Sequence, residues 1–291
     1  MTGRRLLPKP IERATVRALI GKHQIAIFLV LTFVISWYPW YTGGQGFRAA
    51  GPSIAGLIVV GATSGWTGIR GMLRRFTKWR VAGIWWAAAI LGPPAIILAA
   101  IGIHLLLGGD PRSFLVWKVE PLMVPIFMLI LLSPMGGALG EEVFGWRGYA
   151  QPVLQMKWGR WGPLVTSLII GVVWAVWHLP EFFNPASSQY ALGLGGMAPL
   201  LVTEIANSIF MTWLFLRTGG SVLVAGIAWH LMIDTSSTMF VDLTVTGMLA
   251  GETIPPIDRG LLAVITVVMA SLALLLILVT KGRLGHPSSG K

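Results

Sequence analysis

The chain has 291 residues, of which 55% are hydrophobic and only 11% charged, against the roughly one quarter usual in soluble domains. That balance excludes an ordinary soluble fold, and the absence of cysteine excludes disulfides, thiolate metal sites and cysteine nucleophiles. The net charge of +11 sits in short segments beside apolar runs, where membrane topology explains it and nucleic-acid binding need not be invoked.

Residues 1–24 form a basic amphipathic segment (Arg4, Arg5, Lys9, Arg13, Arg17, Lys22) expected to lie at the cytoplasmic membrane surface. The following apolar run has no small-residue cleavage site, so it reads as a retained first span. Apolar runs then predict spans at 25–41, 49–66, 81–107, 121–139, 163–180, 197–216, 221–240 and 261–280. The third should kink at Gly92-Pro93-Pro94. The expected fold is all-α, a single membrane domain over 25–280 of about eight transmembrane helices, with a short cytoplasmic tail at 281–291. With the N-terminus inside, inner segments hold 18 Lys and Arg and outer segments 4, so both termini are expected in the cytoplasm of a multi-pass cell-membrane protein.

Of 11 acidic residues, most fall in expected loops; Glu141, Glu142, Glu204 and Asp234 fall in or beside spans. An ionisable group inside a span costs a few kcal/mol (~2.5–3.5) and is by default a functional hypothesis. Glu141 and Glu142 adjoin at the end of the fourth span, where two like charges in low dielectric need a nearby cation. Arg147 is the natural partner, yet a five-residue spacing does not share a face of a regular helix. A π-turn or a break at Gly145 would bring the two together. Trp174 and His178, and likewise His230 and Asp234, stand four apart and share helix faces. Taken singly, a buried histidine bonded to a neighbour is the simpler explanation for each.

Together these clusters resemble the CPBP family of intramembrane proteases, related to the CAAX prenyl proteases. The family's order of motifs is present as Glu141-Glu142…Arg147-Gly148-Tyr149, Trp174…His178 and His230…Asp234, on three separate spans, within a protease-like core at about 121–240. Three departures stand out. Four residues separate Glu142 from Arg147 where three are commoner, Trp174 replaces the usual phenylalanine, and Asp234 stands where asparagine is common.

The resemblance implies an endopeptidase acting on a peptide or protein in the bilayer, of the prenylated CaaX or bacteriocin type. It implies Glu141 as general base, His178 holding the water, His230 and Asp234 facing the oxyanion, and Glu142, Arg147 and Trp174 shaping the site. An ionised Asp234 cannot donate to an oxyanion, which leaves it to orient His230 or to bind a metal. Zn²⁺ held by Glu141, His178 and His230 and a metal-free glutamate mechanism are both compatible with these residue types. Competing classes are an ion-coupled carrier built on Glu204, His230 and Asp234, and a non-catalytic scaffold or immunity protein. The protease requires Glu141 to approach His178, although straight helices with these boundaries would leave them up to about 20 Å apart. Either the glutamates lie deeper than the boundary suggests, or 149–162 re-enters the bilayer.

Overall fold

The computed structural model describes residues 10–44, 46–111, 137–185, 187–240 and 258–285, with isolated positions between 125 and 133. Every described element is helical, as apolar segments in lipid require, because a helix satisfies its own backbone donors and acceptors. α1 (Pro10–Tyr41) starts within the basic segment and bends at His23, where the backbone leaves helical geometry. α2 (Gly51–Phe76) packs along it, and α3 (Gly83–Leu106) runs as one helix through Pro93 and Pro94.

The next part departs from the expected boundaries. α4 (Gly137–Glu142) is followed by a break at Gly145, a π-helix over Trp146–Ala150 and α5 (Gln151–Gln155). A 3₁₀ turn at Met156–Trp161 then leads into α6 (Gly162–Trp177). Gly159, at φ +51°, provides the left-handed residue of that turn. α5 packs back on α6, so 137–177 forms a helical hairpin. The stretch expected as a non-membrane piece, 149–162, is helical. The glutamates stand at the end of α4, and the first arm of the hairpin continues past them through the π-helix.

After a 3₁₀ segment at Leu179–Phe183 and the short α7 (Ser188–Leu192), α8 (Met197–Arg217) crosses α6. A second π-helix, Leu223–Ala228, runs into α9 (Trp229–Phe240), and α10 (Arg259–Val279) closes the bundle against α3 and α8. Six stretches among the described residues are long and apolar enough to cross a membrane. The expected span at 121–139 lies largely outside the described residues, and 221–240, though helical, is not among the six.

The distribution of polarity is that of a membrane protein. Leu91, Leu98, Leu274 and Leu278 are exposed on α3 and α10, whereas Glu141, Glu142, Arg147, Glu204 and His230 are buried. Apolar side chains face outward and the titratable groups sit between helices, the reverse of a soluble domain.

Candidate active site

The hairpin turn explains how the motifs meet. Glu141 and Trp174 lie at matching distances on either side of the turn at Met156–Trp161, so the two arms bring them level. The Trp174 indole N–H donates to Glu141 Oε2 at 2.7 Å, and the Trp146 indole N–H donates to the same oxygen at 3.3 Å. All three side chains are almost wholly buried. Two N–H groups on one oxygen fix the carboxylate plane while leaving the other oxygen uncommitted.

The break at Gly145 and the π-turn also resolve the five-residue spacing. Glu142 Oε1 accepts from Arg147 Nη1 at 3.3 Å, with both side chains fully buried. Glu141–Trp146 and Glu142–Arg147 are both separated by five residues, so the break and wide turn accommodate the extra residue by pairing each glutamate one position further on. Gly145 is required there. Its backbone (φ −98°, ψ −109°) is non-helical, and a Cβ would overlap the Glu141 carbonyl oxygen and Pro52.

His230 is delivered by α9, whose preceding π-helix packs against α4. Its Nδ1 lies 3.3 Å from Glu142 Oε1 and its Nε2 3.2 Å from Asp234 Oδ2. Both nitrogens face carboxylate oxygens, an environment matched to an imidazolium, which donates from both. Asp234 is the outermost member, its side chain 36% exposed.

His178 caps the end of α6. Its Nδ1 is 2.9 Å from the Trp174 carbonyl, a group that only accepts, so Nδ1 carries the proton and Nε2 presents a lone pair. The Trp174 ring joins the parts: its centroid is 5.0 Å from the His230 ring and 6.2 Å from the His178 ring, and the Arg147 guanidinium carbon lies 5.4 Å from it. Glu141 and His178 thus share Trp174 as a direct neighbour.

Residues 120–236 match the family model for Rce1-like type II CAAX prenyl endopeptidases, a segment that contains every one of these side chains. The chain is also 25% identical over 246 residues to CAAX prenyl protease 2 of Methanococcus maripaludis, covering 75% of this chain and 85% of that protein. By this segment the chain is similar to the Rce1-like endopeptidases.

Within this Rce1-like segment, the residues offered for zinc do not form a binding set. Glu141 and His178 each keep a second donor atom, Oε1 and Nε2, but both nitrogens of His230 face carboxylates, which leaves two ligands where a catalytic zinc takes three. No group of three or more His, Asp or Glu that could hold a metal ion occurs among the described residues. The chemistry below is accordingly derived from side chains alone.

Trp146 was not singled out from sequence; the signal was its five-residue offset from Glu141, which repeats the Glu142–Arg147 offset. Asn207, on α8, accepts from the Trp229 indole at 3.2 Å and so steadies the residue preceding His230. Glu204, one turn earlier on the same helix, bonds to none of the motif residues through its buried Oε2.

Proposed function

We propose that this chain is a protease that hydrolyses a peptide bond of a membrane-associated substrate through a water activated by Glu141. The convergence of Glu141, His178 and His230 around the ring of Trp174 carries the reading. Water placed between the free oxygen of Glu141 and His178 Nε2 would give one hydrogen to each acceptor, aligning a lone pair on the scissile carbonyl carbon. As the C–O bond forms, the water proton passes to Glu141 and the carbonyl electrons move to oxygen. His230, whose two ring nitrogens face Glu142 and Asp234, brings its positive charge beside that oxyanion, and in a site screened from bulk water this charge stabilises it. Collapse of the intermediate breaks the C–N bond as Glu141 returns its proton to the leaving nitrogen.

Glu142, Arg147 and Asp234 act through others. The Glu142–Arg147 pair anchors His230 from one side and Asp234 orients it from the other. An aspartate in place of the commoner asparagine fits this role, since an acceptor suits a charged imidazole and an oxyanion donor is not required of it. The named likeness to a CAAX prenyl protease makes a prenylated peptide ending in a CaaX-type sequence the first substrate to try.

The test uses the full chain in proteoliposomes and a fluorogenic prenylated peptide. Glu141→Gln should lower kcat at least about a hundredfold, the usual weight of a general base. Retention of the wild-type rate by both Glu141→Gln and His178→Ala, with insertion verified, would overturn the mechanism.

A further inference from the structure

A cavity of about 210 Å³ opens beside the site, between α7, the first half of α8, the second half of α9 and the start of α10. Asp234 belongs to both: its carboxylate faces His230 at 3.2 Å and also lines the cavity. On the opposite helix the cavity is lined by Glu204, only 9% exposed, whose Oε2 has no hydrogen-bond partner among the described residues. A buried carboxylate oxygen left without a donor costs several kcal/mol (~2–7 for an unpaired polar group, more for an ion), so its persistence on a cavity wall points to a partner that arrives from outside.

The lining indicates what that partner is. Among the described residues, two carboxylates line the space and no lysine or arginine does. Asn207, also on the wall, has its side-chain oxygen committed to the Trp229 indole. Leu200, Leu262 and Met269 supply apolar surface to the same cavity. Apolar walls beside the Glu204 carboxylate, with Asp234 next to it, match a long aliphatic stem with a cationic head. A free carboxylate would meet two like charges there, and a bare metal ion would lack a ligand set.

We propose that this cavity is a subsite for a lysine or arginine side chain of the substrate, with Glu204 as the carboxylate that sets the preference. The proposal rests on the protease reading above, since it takes the cavity as part of a peptide-binding cleft. It goes beyond that reading in assigning a residue outside the three motifs and a side-chain class to the substrate.

Binding and cleavage are measured separately, on the whole 291-residue chain in detergent micelles. The probes are fluorescent prenylated peptides carrying lysine, norleucine or Nε-acetyl-lysine at each position around the prenylated cysteine in turn. In at least one register the lysine peptide should bind wild-type protein about tenfold more tightly than the norleucine and acetyl-lysine peptides, as a charge-assisted contact to carboxylate predicts. Glu204→Gln should reduce that ratio to about twofold or less, and Glu204→Asp should retain part of it. Equal binding of the three peptides in every register, or an unchanged ratio in Glu204→Gln, would overturn the subsite. The wild-type comparison decides the matter even if Glu204→Gln fails to fold. Lysine-selective binding without any cleavage would sink the protease reading and leave the subsite standing; cleavage without lysine selectivity would do the converse.

Discussion

Trp174 occupies a position where the resemblance leads one to expect phenylalanine, and as a wall either ring would serve. The structure gives the indole a second task, since its N–H holds Glu141 at 2.7 Å. Trp174→Phe keeps the ring against His230 and removes only that donor. A hydrogen bond to a charged group contributes about 1.5–3 kcal/mol. Accordingly kcat/KM should fall about ten- to a hundredfold and the melting temperature by several degrees. Unchanged turnover would mean that Trp146 alone suffices to hold the carboxylate. At this scale the sequence singled out the candidate residues that the fold gathers, because ionisable groups inside lipid are costly and therefore few. It did not supply Trp146, because an indole beside a span is ordinarily an interfacial anchor.

At the scale of elements, two π-helices do the positioning. Trp146–Ala150 turns Arg147 toward Glu142, and Leu223–Ala228 feeds into the helix that carries His230. The first was legible as a possibility in the Glu142–Arg147 spacing; the second left no mark in the hydrophobic pattern. Between α6 and α8 the approach is close enough that a Cβ on Gly171 would lie 2.5 Å from the Ile205 Cα, a backbone atom that cannot swing aside. Small residues at such crossings let membrane helices touch. Gly171→Ala should therefore destabilise the protein by about 1–3 kcal/mol, the usual effect of overpacking. It should also reduce activity, since α6 carries Trp174 and His178 while α8 carries Asn207. Thermal melting in detergent checks the first effect; a melting temperature at or above wild type would contradict it.

At the scale of the whole molecule, the distribution of Lys and Arg leads us to propose that both termini face the cytoplasm, with the bundle in the cell membrane. The lack of cysteine makes this directly testable, because a single introduced thiol is the sole site for a membrane-impermeant maleimide. Lys22→Cys and Lys281→Cys should label from the cytoplasmic side and Arg259→Cys from the other; all three positions are exposed. Labelling of Lys22→Cys and Lys281→Cys from opposite faces would refute the arrangement. Composition and apolar run length by themselves determined the membrane class, the helical architecture and which titratable groups to suspect, since lipid admits only segments that satisfy their own backbone and tolerates few charges. Only the tertiary structure decided that those groups meet. The run of apolar residues cannot distinguish a loop from the descending arm of a hairpin, and it was the hairpin turn at Met156–Trp161 that brought Glu141 level with Trp174, one turn from His178.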